Sequence, residues 1–220
     1  MRISELSDQS GVSVASIKFY VREGLLAGGD RTTPTRTEYD EAHLARLRLI
    51  RALIEVGGLD IATTRDVLRT IDNPDVDPIE LRRVAHRAVP HSDVRSSPES
   101  IAAVMAVVEE RGWLVGPDNP GVHRVARALD AYEASGQTVP LDRLLAAYAD
   151  AALIVGEADI EHIGRTPSPA DTAKAVILGT VVGEQILAGL RLMTQEHVGR
   201  SLAARAAEGG HAADIAQTEQ

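Results

Sequence analysis

Apolar positions in the first seventy residues come in short helical groups, separated by small and polar residues. Met1 to Leu26 reads as helix, tight turn, helix. Ser4 is placed to cap a first helix ending at Gly11, and Ser13 to cap a second running to Glu23, with Gly24 as its stop. A pair of short helices joined this closely forms a helix-turn-helix, whose second helix enters the major groove. Residues 27–39 lose helical periodicity and are rich in Gly, Thr and Pro, which predicts a β-hairpin or wing. Asp40 then opens an amphipathic helix with Leu44, Leu47, Ile50, Leu53 and Ile54 on its apolar stripe, closed by Gly57-Gly58. Asp60 opens another, carrying Ile61, Val67, Leu68 and Ile71 and ending at Asp72-Asn-Pro74.

Beyond that point prolines begin helices rather than break them. Asp77-Pro78, Ser97-Pro98, Asn119-Pro120 and Ser168-Pro169 each put a capping residue before a proline, whose missing N–H has no partner in the first turn anyway. Helices are expected at about 78–88, 98–111, 120–135, 140–163 and 169–207, with Gly112, Gly136, Gly164 and Gly209 as stops. No further strand and no repeat is evident. The expected class is mainly α: a winged helix-turn-helix over residues 1–73, an all-helical effector-binding or dimerisation domain over 74–208, and a flexible tail over 209–220.

Charge sharpens this division. Residues 1–71 hold ten Lys/Arg and ten Asp/Glu, while the remainder holds 13 basic and 22 acidic groups, so the whole net charge of −9 lies there. Such a balance weakens nonspecific attraction to DNA and puts the demand on locally placed cations. Cysteine is absent, which excludes disulfides, thiolate metal sites and cysteine nucleophiles. The polar N-terminus belongs to the first helix, so no leader is expected. The most apolar run, Ala175 to Leu192, is interrupted by Glu184, Gln185 and Arg191, so we expect no membrane span and a cytoplasmic, nucleoid-associated protein. The histidines lack metal-ligand spacing: Pro90 separates His86 from His91, and Glu161 and His162 face differently on a helix. No phosphate loop, nucleophile elbow or pair of catalytic carboxylates is present; we expect no metal, no cofactor and no enzyme.

Candidate DNA contacts follow from the second helix and the wing. Ser13, Ser16 and Lys18 bear donors for phosphates or base edges, and Val14 or Phe19 suits a thymine methyl. Arg22, Arg31, Arg36 and Tyr39 extend the footprint to the backbone, with Arg46, Arg48, Arg51 and Arg65 as further candidates. Each arginine alone reads more readily as solvated surface and Phe19 or Tyr20 alone more readily as core; of that adjacent pair one core residue and one contact are expected. The order helix, turn, helix, wing, helix, helix within about seventy residues is what points to a duplex reader.

These residues resemble the MerR family of bacterial transcription regulators. The matching segments are Ile3-Ser-Glu-Leu6, Gly11-Val-Ser13, Ser16-Ile-Lys-Phe-Tyr20, Arg22-Glu-Gly-Leu-Leu26, Tyr39-Asp-Glu-Ala-His-Leu44, Arg46-Leu-Arg-Leu-Ile-Arg51 and Leu53-Ile-Glu-Val-Gly57. The resemblance covers about residues 1–71. It implies a homodimer on a near-palindromic double-stranded promoter, an effector domain after the reader, and action on RNA polymerase by bending and untwisting an overlong spacer. Two departures matter. The family usually has Arg-Tyr-Tyr where Lys18-Phe19-Tyr20 stands, and lysine lacks arginine's bidentate fork, which favours a phosphate contact. The wing usually has Gly-Tyr-Arg where Thr35-Arg36-Thr37 stands.

The family's long coiled-coil helix does not follow, because Pro74, Pro78, Pro90 and Pro98 interrupt the stretch. The helical second part is similar in layout to the ligand-binding halves of TetR-type repressors. Ala175 to Leu190 is apolar nearly all round and must be buried, either as an internal core helix or at a two-fold interface. Gly179 and Gly183 open a flat strip for a partner helix, with Ile186 and Leu190 beside it. Trp113, Tyr132, Tyr148, Glu184 and Gln185 are the candidates for holding a small-molecule effector; the alternative for Glu184 is a salt bridge to Arg191 or another arginine. The rival reading is a ligand-free regulator whose second domain only dimerises or binds a protein. A cavity of several hundred cubic ångströms between the 140–163 and 169–207 helices would favour sensing.

Overall fold

The computed structural model describes residues 1–33, 36–89, 95–136 and 141–218, with side chains given for most of them. Helix α1 (Ile3–Ser10) starts two residues earlier than a Ser4 cap predicts: Arg2 is the N-cap, and its N–H donates to Glu5 Oε2 at 2.7 Å. Gly11 ends α1 at φ 67°, and a Cβ there would also lie 2.8 Å from Arg51 Nη1. Ser13 caps α2 (Val14–Arg22) as expected, accepting from the Ser16 N–H at 3.1 Å. Gly24, at φ 72°, then turns the chain so that the Leu25 and Leu26 amides both reach Tyr20 O.

The wing is an antiparallel pair, β1 (Asp30–Thr33) and β2 (Arg36–Glu38), with a register irregularity between Arg31 and Thr33. Gly29 lies so close to its partner strand that a Cβ would stand 2.5 Å from Glu38 O. The hairpin is anchored at its base, where the Tyr39 N–H donates to Met1 O at 2.8 Å. Asp40 caps α3 (Glu41–Arg51), which continues as a π-helical turn, Ala52–Val56, up to Gly57. Asp60 caps α4 (Ile61–Asp72); the Thr63 amide donates to its carboxylate at 2.7 Å and, with the Thr63 hydroxyl, holds its pKa below the usual value.

The remaining helices are α5 (Pro78–Ala88), α6 (Pro98–Glu110), α7 (Pro120–Ala134), α8 (Leu141–Gly164), α9 (Pro169–Val181) and α10 (Gly183–Thr218). Among the described residues there is no strand beyond the wing. Three expectations change. The single helix over 169–207 is two helices, because the chain breaks at Val182 between the low-propensity Gly179 and Gly183. Gly209 does not stop α10, whose backbone stays helical to Thr218, ten residues into the stretch expected to be a flexible tail. The second part is also not an independent body. One hydrophobic core joins Leu6, Ile17, Leu47, Ile50, Leu53 and Leu68 of the first 73 residues to Leu81 and Ala85 of α5 and to Ala173, Val176, Ile177 and Val181 of α9. Val181 sits so close to the Gly57 backbone that a Cβ there would meet its Cγ1 at 2.2 Å. Helices α6 and α7 form a smaller core of Val104, Val122 and Ala126.

The apolar run therefore divides. Its α9 half is core, whereas α10 leaves Ile186, Leu187, Leu190, Leu192 and Met193 exposed in the single chain, so for that half the internal-core alternative does not hold. By length and composition alone Pro169–Ala206 would suffice to cross a membrane, so the polar interruptions do not exclude it on those grounds; the packing of α9 into the core is what argues against it.

Candidate nucleic-acid interface

Helix α2 packs inward through Ile17 and Tyr20, whose burial is the main reason its phenol pKa is raised. Helical spacing then puts Val14, Lys18 and Arg22, each four residues apart, in one line on the opposite face, flanked by Phe19. Lys18 is exposed and carries no ion pair among the described residues. The Arg22 side chain is 71% exposed, and its guanidinium lies 5.1 Å from the Phe19 ring centroid. Phe19 is half-buried against the core, so the pair divides: Tyr20 is core and Phe19 lies at its edge. Ser13 and Ser16 hold each other at the helix start, with hydroxyl oxygens 2.8 Å apart. Tyr39 is half-buried at the base of the wing, edge-on to His43 with ring centroids 5.2 Å apart. The side chains of Arg31 and Arg36 lie outside the described residues, as do Thr35 and His91.

The further arginines divide sharply. Arg46 donates from Nε to Leu25 O at 2.9 Å and from both terminal nitrogens to the Asp72 carboxylate at 2.7 Å. Arg51 donates to Ser10 O at 2.9 Å and pairs with Glu55. Arg65 donates to Glu23 O at 2.9 Å and to the Glu23 carboxylate at 3.0 Å. These three clamp the ends of α1, α2 and α4 and hold the second helix in place. Arg48 alone of the four is exposed without an ion pair among the described residues. Arg2, exposed beside the base of the wing, is a cation that sequence reasoning passed over, because its position depends on the pairing of Met1 with Tyr39.

The residues singled out for an effector do not converge. Trp113 is half-buried in the loop after α6, and Tyr132 is 39% exposed on α7. The Tyr148 hydroxyl accepts from Arg191 Nε at 2.8 Å, and Gln185 is exposed. Glu184 pairs with Arg124 at 2.6 Å, the salt-bridge alternative, though with a different arginine from Arg191. Of the five, only Glu184 lines the cavity of about 540 Å³ between α5, α7, α8, α9 and α10. Gly179 and Gly183 also line it, each with open space where a Cβ would stand. Nothing in the sequence marks this cavity, since five helices from distant parts of the chain contribute to it.

A first helix that braces, a second that presents an outward line with two cations, and a two-stranded wing beside it define a DNA-binding transcription regulator of the helix-turn-helix type. Residues 1–71 match the family model described as MerR HTH family regulatory protein. The chain superimposes on the crystal structure of the putative transcriptional regulator SCO5550 from Streptomyces coelicolor A3(2) with a TM-score of 0.65. The two are 31% identical, over 90% of this chain and 95% of that one. The protein belongs to the MerR family of regulators. It is also 41% identical over 56 residues to two nodulation proteins NolA, from Bradyrhizobium elkanii and Bradyrhizobium sp. (strain NC92). That match covers 26% of this chain and about a quarter of each relative, 26% and 24%.

Proposed function

We infer that the protein works as a homodimer on a near-palindromic promoter site, one winged reader per half-site. In this reading Ser13, Val14, Ser16, Lys18, Phe19 and Arg22 meet the major groove, and Arg31, Arg36 and Tyr39 reach the flanking backbone. The observation that carries it is the Val14–Lys18–Arg22 line, with Lys18 exposed and unpaired among the described residues and Arg22 exposed beside Glu23, while Arg46, Arg51 and Arg65 hold its helix from behind. The second copy docks on the apolar faces of α8 and α10. Leu153, Ile154 and Ile160 of α8, and Ile186, Leu190, Met193, Val198 and Leu202 of α10, are all exposed by 46% or more. Side chains of this size and number offer on the order of the ~800 Å² per partner that a stable interface buries. Ile186 and Leu190, from the expected interface, belong to this face; Gly179 and Gly183 line the cavity instead.

An effector held in the helical part sets the state of the reader, and with it the geometry presented to RNA polymerase in the cytoplasm. The cavity favours this over the ligand-free alternative, since it is lined by Val155 of α8, Thr180 of α9 and Leu187 of α10. The test is footprinting on a duplex selected from a random pool, with sedimentation of the same protein. A dimer and two protected patches one helical turn apart, about 34–36 Å, are expected. A monomer with a single patch would overturn the dimeric reading.

A further inference from the structure

Resting on the regulator reading above, we propose that the cavity between α5, α7, α8, α9 and α10 binds a small organic anion with an aliphatic body, and that α9 relays its occupancy to the DNA reader. Charge decides the ligand class. Three acids line the cavity, but Asp118 and Asp159 are exposed at its rim, and Glu184 is neutralised by Arg124 at 2.6 Å. Arg87 on α5 is held by Glu80 at 3.3 Å. That leaves Arg127 of α7, half-buried in the wall and without an ion pair among the described residues. A guanidinium in that position recruits a carboxylate or a similar planar anion, to which it donates in a fork. His86, exposed on the facing helix, is kept below its usual pKa by local desolvation and by Arg82. It is therefore neutral at pH 7 and adds a hydrogen-bonding group without a charge. The apolar part of the wall is Val89, Pro120, Val155 and Leu187, with the bare backbone of Gly179 as floor, which suits an aliphatic chain, while Asn119, His123 and Thr180 add hydrogen-bonding groups.

The relay is one helix thick. Gly179 and Thr180 face the cavity, while Ile177 and Val181, their neighbours on α9, are built into the core of the reader, and Val181 touches the Gly57 backbone. A ligand seated on Gly179 that displaces α9 must repack the hydrophobic cluster on which α2 rests, because close-packed cores move in discrete steps.

The probe is octanoate, compared with octylamine and 1-octanol, titrated calorimetrically into the full-length protein. Octanoate is expected to bind with a Kd of about 1 mM or tighter, and the amine and the alcohol at least tenfold more weakly. Arg127→Gln should weaken octanoate at least tenfold. Glu184→Gln releases Arg124 and should strengthen it severalfold. Gly179→Leu, which fills open space and so leaves the fold intact by circular dichroism, should abolish binding. Octanoate should also change affinity for the selected duplex by about fivefold or more, the lower range of allosteric couplings, and should leave the Gly179→Leu protein's affinity unaltered. Preference for octylamine, binding indifferent to both Arg127→Gln and Gly179→Leu, or octanoate binding with no change in duplex affinity would overturn the proposal. So would the absence of octanoate binding in a protein that still binds the duplex, and in that case the regulator reading stands. Loss of selective duplex binding by the ligand-free wild-type protein would instead defeat the regulator reading itself.

Discussion

Lys18 owes its freedom to the residues behind it. Ile17 and Tyr20 fix the rotation of α2 by burial, and Arg46, Arg51 and Arg65 fix its ends by hydrogen bonds to Leu25 O, Ser10 O and Glu23 O. The two kinds of cation should separate experimentally. Lys18→Ala removes one phosphate contact per protomer, so the slope of log affinity against log salt should become shallower by about one unit per protomer, with binding weaker on every duplex. Thermal stability should not change, because the side chain is exposed. Arg46→Ala should do the reverse. It breaks three charge-assisted hydrogen bonds, one of them to a half-buried carbonyl, and should cost about 1–2 kcal/mol once screening at the exposed Asp72 is allowed for. Its salt slope should stay as in wild type. Salt titrations of duplex binding and melting curves on both variants decide the matter. The distinction between these cations was not legible in the sequence, where both stand in family-like motifs; it depends on pairings such as Arg46 with Asp72, 26 residues apart.

At the scale of elements, what the sequence displayed best was local chemistry. Ser13, Asp40, Asp60, Ser97, Asn119 and Ser168 all cap the helices they were expected to open, because the cap needs only a side chain and an amide a few residues on. The break at Val182 was hidden, since no proline marks it and glycine is tolerated within helices. Asp130 was hidden for a related reason: its partners lie on another element. Hydrogen bonds from the Ser100 and Ser97 hydroxyls and the Ser97 amide hold its carboxyl below the usual carboxylate range and tie α7 to the start of α6. A carboxyl whose folded pKa is depressed stabilises the fold fully above its unfolded value, near 4, and loses that contribution as pH falls through the folded value. Urea midpoints for wild type and Asp130→Asn should therefore differ at pH 7, and the difference should shrink as pH falls below about 4. A difference that persists unchanged in acid would remove the carboxylate's charge from the account.

For the whole molecule, the division into a reader and a helical partner was visible in the charge balance and in the prolines, but the core that crosses it was not. Helices α5 and α9 complete the hydrophobic cluster of the first 73 residues, so the reader is supported by chain that lies a hundred residues downstream. With α9 committed inward, α8 and α10 face outward with their apolar side chains uncovered, a surface that a soluble monomer rarely tolerates. Ile186, Leu190 and Met193 follow the i, i+4, i+7 spacing of a helix that packs against another. The double substitution Ile186→Glu with Leu190→Glu puts charge at two positions already 61% and 52% exposed, so the folded protomer should keep its helicity and melting behaviour. In a two-fold assembly each change meets the interface from both sides, and two carboxylates per protomer buried there without cations would be prohibitive. Sedimentation should then show a monomer, and affinity for a two-half-site duplex should fall by more than about a hundredfold, because the second reader is no longer delivered at high effective concentration. Affinity for a single half-site should be unaltered, since α2 and the wing lie on elements the substitutions do not touch. A variant that still sediments as a dimer would move the interface off α10.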